Sequence, residues 1–450
     1  MRFHSFLFIL LISLTYLGCS KDSSNEEYQP IVKCSILKPD ESIDSVFLVS
    51  HSDIEQYLIR QQIANGKRCV NLLQIDYLGF PVGYMVEYES SWEILSADRR
   101  GPIILAECDE KNHEFNSFPD AAQDWLIALY QDIADRWARK EPLNTENEEE
   151  IQSYEFWDTI SKPNPLDTKA NPNSPLYTWE LISTDISSEE YEEIAHLTTT
   201  LWHQNPPYNA ACPLVSSFGV DRAVAGCGPV AAAQYLYYLH YYWGIPLLAP
   251  SYVYSNDVLP SQTIYSTGPN SSGIWSYMNN ESTTSNKAYY LIADIGKRND
   301  TQYGADSSPS YFYKTINALG DYGIFGHHAP YQKDTVISYL DRSLPVLMRA
   351  GSSDGGHAFL VDGFVRYRTR YVDTYLVQCL DPISNVPIME PWTEQIVYHS
   401  APYIHLLKMN WGWGSGTWHN TRYALSGTWN ASGISFDRNF RMLCNVTTYE

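Results

Sequence analysis

Three residues of this chain have types and settings that could do chemistry together: a cysteine ahead of a helix, a histidine at the start of a strand and an asparagine at the end of one. The cysteine lies in AGCGPVAAAQYLYYLHYYW, residues 225–243. Pro229 reads as a first-turn proline and the alanines after it favour helix, so Cys227 stands at a helix N-terminus. A free thiol has a pKa of roughly 8.5, and the positive end of a helix dipole with an imidazolium nearby lowers it by several units. The thiolate so formed is a nucleophile. Cys227 taken alone also reads as a small buried residue of an apolar helix.

The histidine lies in SLPVLMRAGSSDGGHAFLVDGF, read as a strand, a glycine-rich turn and a second strand with His357 at its start. Gly355 and Gly356 would let another backbone or a substrate come close. A histidine at such a point is a candidate general base, and equally a satisfied structural residue. The asparagine lies in HLLKMNWGWGSG, where a strand ends in Asn410 and two tryptophans alternate with glycines. Asn410 would accept a hydrogen bond from the imidazole and orient it, with an indole shielding that bond from water. Asp362, in a turn-like DGF, is assigned to structure. His357 follows Cys227 by 130 residues and Asn410 follows it by 183. Cys, His, Asn is the order expected of papain-like enzymes.

These motifs resemble those of streptopain and the related bacterial cysteine peptidases, which have a papain-like fold. GCGPVAAAQ is similar to that family's nucleophile motif, GGHAFLVDGF to its histidine motif and NWGWG to its asparagine–tryptophan motif. In WHQNPPYN, Gln204 occupies the place of the family's oxyanion-hole glutamine. The four motifs span about 250 residues in the family's order, and the segment around WEILSADRRGPIILAE resembles, more loosely, its inhibitory propeptide. Two departures bear on the substrate groove. Gly228-Pro229 follows the cysteine where valine and alanine are common, and NWGWGSGTWHNTRYAL lacks the glycine-glycine and glycine-tyrosine pattern often seen after the tryptophans.

The resemblance implies an α+β protein: a papain-like catalytic domain, with a central helix and an antiparallel sheet or barrel, preceded by a small α+β inhibitory prodomain. It implies a cysteine endopeptidase made as a zymogen that acts on protein or peptide substrates by acyl transfer. Cys227 would attack the carbonyl, and Gln204 with the Cys227 N–H would hold the oxyanion. His357 would protonate the leaving amine and then activate water, with Asn410 fixing its ring. Trp411 would roof the His357–Asn410 bond, and Trp413 would line the groove or simply pack. A papain-like amidase acting on cell-wall peptides would use the same residue types, and a silent binding lipoprotein could reuse the scaffold. GSSDG at 351–355 has the GxSxG spacing but is read as a turn between two strands, not between a strand and a helix, and there is no HExxH, so a serine hydrolase or zinc protease is disfavoured. No metal and no cofactor is expected.

The elements that must position these residues divide the chain. Residues 35–140 read as one α+β unit. Within it, VGYMVEYESSWEILSAD suggests strands, and DAAQDWLIALYQDIADRWARK a helix with Trp125, Leu129, Ile133 and Trp137 on its core face. Residues 141–192, rich in proline, asparagine and charge, read as a linker open to activating cleavage, by another protease or by the enzyme itself. The catalytic domain is 193–450, with the propeptide as its intramolecular inhibitor. Residues 1–19 have a basic start and a short apolar run, an export signal. Leu17-Gly18-Cys19 before SKDSSNEE resembles a bacterial lipoprotein site, with Cys19 lipidated and 20–34 a tether, although Tyr16 stands where a smaller residue is usual. The protein would then be exported and anchored by lipid, on the outer surface or facing the periplasm, or released by processing. An ordinary signal peptide with a chance cysteine is the alternative.

Composition agrees with a folded chain of two domains: 450 residues, 44% hydrophobic and 18% charged, with 35 Tyr and 13 Trp. A net charge of −22 repels nucleic acid phosphates, so no nucleic acid partner is expected. The eight cysteines show neither a CxxC pairing nor a metal pattern.

Overall fold

The computed structural model describes residues 46–110, 120–161, 176–215, 222–247, 252–254, 262–264, 274–280, 286–352, 355–380, 393–424 and 440–448. The signal segment, Cys19 and the tether lie outside these residues. In chain order the elements are α1 (His51–Asn65), β1 (Cys69–Tyr77), β2 (Phe80–Tyr88), β3 (Trp92–Ser96), β4 (Ile104–Cys108), α2 (Asp120–Arg139), α3 (Glu148–Ser161), β5 (Leu176–Ile194) and α4 (Cys227–Trp243). They continue with the short pair β6 (Tyr252–Tyr254) and β7 (Gln262–Ile264), α5 (Ala288–Arg298), α6 (Phe312–Asp321), β8 (Ile324–Pro330), α7 (Lys333–Leu340), β9 (Val346–Ser352) and β10 (Gly355–Leu380). Last come β11 (Thr393–Ser400), β12 (Ile404–Asn410), the single turn α8 (Thr417–Asn420), β13 (Arg422–Ala424) and β14 (Arg441–Thr448). The α+β class expected from the sequence is the class found.

The chain divides into two compact units, one of residues 1–107, 129–190 and 367–404, the other of 108–128, 191–366 and 405–450. In the first, β1 to β4 lie side by side in chain order. Local chemistry starts and stops these elements. Ser50 caps α1 by accepting from the Asp53 N–H at 3.2 Å while Asp53 accepts from the Ser50 N–H at 2.7 Å, and the helix ends at Gly66 in the left-handed region. Leu78 (φ 53°) and Gly79 (φ 83°) join β1 to β2 between the paired Tyr77 and Phe80, a two-residue turn whose positive φ values match the strand twist.

Two boundaries differ from the sequence expectation. Residues 141–192 are not a bare linker: α3 buries Phe156, Trp157 and Ile160, with Trp157 6.0 Å from Tyr57, and β5 pairs with β10. The apolar residues of α3 are few and follow an acidic start, so the acidic and proline-rich flanks hide its periodicity. The stretch from 162 to 175 lies outside the described residues. The second difference is the hairpin of β10 and β11, whose residues 367–404 belong with the first unit although they sit inside the expected catalytic domain.

The second unit has its strands in the order β13, β12, β10, β9, β14, β8. Ala358 and Leu360 of β10, Leu347 of β9 and Leu443 of β14 join the buried core made by α4, α5 and α6. Helix α4 is apolar nearly all round, as a central helix must be, with Val230, Ala231, Ala232, Ala233, Tyr235, Leu236 and Leu239 buried. Burial of Leu236 or Leu239 stabilises by about 1.5–3 kcal/mol each. The stripe expected on α2 is present, with Trp125, Leu129, Ile133 and Trp137 all buried.

Candidate active site

Cys227 is the first residue of α4, with Gly226 (φ 87°) at the N-cap. One consequence is that the Cys227 N–H belongs to the first turn, where no intrahelical carbonyl can take it. The strand β10 brings His357 to the thiol: the two side chains hydrogen-bond, and the Gly356 carbonyl lies 4.0 Å from Sγ. Burial pushes the Cys227 thiol up, but the His357 charge, the His357 hydrogen bond and the Ala358 and Gly228 N–H groups together outweigh it and hold the thiol below the ordinary range.

His357 is buried, and its Nε2 lies 2.6 Å from the carbonyl oxygen of Trp411. A carbonyl only accepts, so Nε2 carries a hydrogen. The nitrogen left to face the thiol is Nδ1, which in the neutral ring holds a lone pair. A base pointed at a thiol by a fixed hydrogen bond on its far side is the arrangement that thiolate–imidazolium chemistry needs.

Asn410 does not make the bond expected of it. Its Oδ1 accepts from Gln234 Nε2 at 3.3 Å and from the Gly412 N–H at 3.1 Å. Its Nδ2 donates to Gln234 Oε1 at 3.1 Å, Thr198 Oγ1 at 3.0 Å and the Thr200 carbonyl at 2.7 Å. Thus the amide is used up in tying the end of β12 to α4 and to the 198–200 segment, and the carbonyl of the next residue holds the imidazole. Gly412, at φ 70°, gives the bend that lets this amide reach its own chain.

The tryptophans also exchange the roles expected of them. Trp411 is buried, its ring 4.5 Å from Phe359 and edge-on to Tyr423 at 5.5 Å, so it anchors the strand end. Trp413 is 39% exposed and stands edge-on to the imidazole with centroids 6.1 Å apart. Trp413 also bridges to His203, next to Gln204, and the Gln204 carbonyl accepts from the Ala225 N–H at 2.9 Å. Gln204 is therefore tied by its backbone to the residue two before Cys227. Gly355 pairs with Ser352 and Gly356 with Gly351 across β9. A Cβ at Gly356 would stand 2.8 Å from the Ala350 carbonyl, so of the two close approaches expected it is a neighbouring backbone that requires glycine here.

Asp362 is fully buried and structural, as expected. It bonds His196 Nδ1 at 2.7 Å, the Thr198 N–H at 3.2 Å and the Thr198 hydroxyl. No group of three or more His, Cys, Asp or Glu side chains able to hold a metal occurs among the described residues. Sequence reasoning missed the Trp411 carbonyl, Gln234, Thr198 and Thr200. A main-chain oxygen has no residue signature, and the glutamine of AAAQYL looked like part of a helix and nothing more.

Residues 202–418, which hold Gln204, Cys227, His357 and Asn410, match the model of the peptidase C10 family. This segment is a C10 peptidase domain. The C10 domain is of the cysteine type, as the resemblance to streptopain implied. Among solved structures, a prointerpain A fragment of Prevotella intermedia bearing a cysteine-to-alanine substitution is 19% identical, with a TM-score of 0.52, over 83% of this chain and 98% of that one. At that identity the likeness is one of fold. Active interpain A of the same organism is 20% identical over 56% of this chain and 94% of that one, with a TM-score of 0.35. Among the curated proteins compared, no sequence matches this chain.

Proposed function

We propose that the chain is the zymogen of an exported cysteine endopeptidase, with Cys227 as nucleophile and His357 as general base. The observation that carries the reading is the thiol, lowered in pKa and hydrogen-bonded to an imidazole whose Nε2 is held by the Trp411 carbonyl. The thiolate attacks the scissile carbonyl, and the oxyanion is held by the Cys227 N–H and the Gln204 side chain. His357 protonates the leaving amine and then takes a proton from the water that hydrolyses the thioester. Asn410 positions Trp411 and does not act on the ring, and Trp413 shields the imidazole. Residues 35–140 act as the inhibitor, and cleavage within 141–192 relieves it, most simply in the stretch KPNPLDTKANPNSP between α3 and β5. Cys19 carries the lipid that anchors the exported precursor.

The test is proteolysis of a denatured protein under reducing conditions, by the chain lacking residues 1–19 and by its Cys227→Ala variant. Activity that rises as the linker is clipped and is absent from the variant is the expected outcome. Equal silence in both after clipping would sink the peptidase reading.

A further inference from the structure

Arg349 and Arg441 face each other on neighbouring strands, and neither has an acidic partner among the described residues. In register, Ala358 of β10 faces Arg349 of β9, which faces Arg441 of β14, so the three project from one side of the sheet. That is the side from which Leu347, Leu360 and Leu443 enter the core around α4. Both arginines are half-buried, and neither has a hydrogen bond or an ion pair among the described residues. Arg60, Arg99, Arg100, Arg136, Arg139, Arg298, Arg366, Arg370 and Arg422 all pair with carboxylates, and Arg222, Arg342 and Arg368 donate to main-chain carbonyls. The chain carries a net charge of −22, so acids are plentiful. Like charges directly opposite one another on a sheet are destabilising. An anion brought by a ligand would reverse that.

The position says which ligand. The Arg349 Nη2 and Cζ lie 2.7 and 3.0 Å from where a Gly356 Cβ would stand, and the Gly356 carbonyl is 4.0 Å from Cys227 Sγ. Adding the intervening bonds puts the guanidinium within about 11 Å of the sulfur, and an extended peptide advances roughly 3.3–3.6 Å per residue. A peptide whose carbonyl sits on the thiol and which runs towards β9 would meet the guanidinium within about three residues.

We propose that Arg349, reinforced by Arg441, selects substrates with an aspartate or glutamate within three residues of the scissile bond. The inference rests on the peptidase reading above. A guanidinium meets a carboxylate through two parallel N–H···O bonds, which neither an amide nor a lysine reproduces. Arg441 adds to the local positive potential.

The test uses the full chain, nicked with immobilised trypsin that is then removed, and matched peptides carrying Glu, Gln or Lys at each of the three residues on either side of the cleaved bond. At one position wild type should favour Glu over Gln by about 10- to 100-fold in kcat/KM. Arg349→Gln should bring that ratio near one, and Arg349→Glu should favour Lys. A wild type that cleaves peptides without telling Glu from Gln, or an Arg349→Gln enzyme with the ratio unchanged, overturns the inference and leaves the peptidase reading standing. A wild type that cleaves none of the peptides overturns the peptidase reading itself.

Discussion

Cys227 sits in opposing fields. Burial favours the neutral thiol, while the His357 charge and hydrogen bond and two main-chain N–H groups favour the thiolate, and the second set wins. The sign of a mutation follows. Without the imidazole, burial becomes the dominant influence and the thiol rises. Alkylation of Cys227 by iodoacetamide, followed against pH, should therefore titrate below the ordinary thiol range in wild type and above the wild-type midpoint in His357→Ala. Coincident profiles would mean that the imidazole does not set the thiolate population. The other described cysteines, Cys69, Cys108, Cys212 and Cys444, are buried thiols, and burial raises each of them. They should stay silent in the same experiment.

At the scale of elements, the site depends on where three chain segments end. Helix α4 begins at Cys227, β10 begins two residues before His357, and β12 ends at Asn410, which hands the Trp411 carbonyl to the imidazole. The amide pair of Gln234 and Asn410 and the bonds to Thr198 and Thr200 weld these ends together. Asn410→Ala strips partners from buried groups, at about 1–3 kcal/mol each. It should lower kcat by 10-fold or more and move the alkylation midpoint upward, because a wandering Trp411 carbonyl no longer aims Nδ1. A loss of thermal stability with both the pH profile and kcat unchanged would reduce Asn410 to a merely structural residue.

At the scale of the whole chain, the first unit is held by a buried network. Arg60 of α1 donates to Asp373 at 3.0 Å and to the Tyr375 hydroxyl at 2.9 Å, and Thr184 of β5 donates to Asp373 at 2.9 Å. Asp373 and Tyr375 lie in β10, so cleavage between 162 and 175 would free the chain before it while leaving the grip of β10 on α1. Removing one partner of a buried ion pair costs about 3–5 kcal/mol. On the zymogen reading, Arg60→Ala should shorten the lag between linker cleavage and full activity several-fold, in a time course followed by peptide turnover and gel. An unchanged lag would mean that release of the inhibitor does not pass through this pair.

The peptide motifs around Cys227, His357 and Asn410 were legible because each is local: a first-turn proline ahead of alanines, a glycine-flanked histidine, an alternation of tryptophan and glycine. Their order along the chain, together with the resemblance to streptopain, paired the thiol with the imidazole. The α2 core stripe was legible for the same reason, since helical periodicity repeats within one turn or two. What the residues themselves could not carry were the roles that depend on long-range register. Asn410 has the residue type of an imidazole partner, yet Gln234, 176 positions away in sequence, claims its amide and leaves the task to a main-chain oxygen. Arg349 looks like any strand arginine until β14 places a second one against it. The hairpin of β10 and β11 reads as part of one domain and belongs by its contacts to the other unit. In each case the deciding partner is remote in sequence, and proximity of that kind exists only once the sheet has formed.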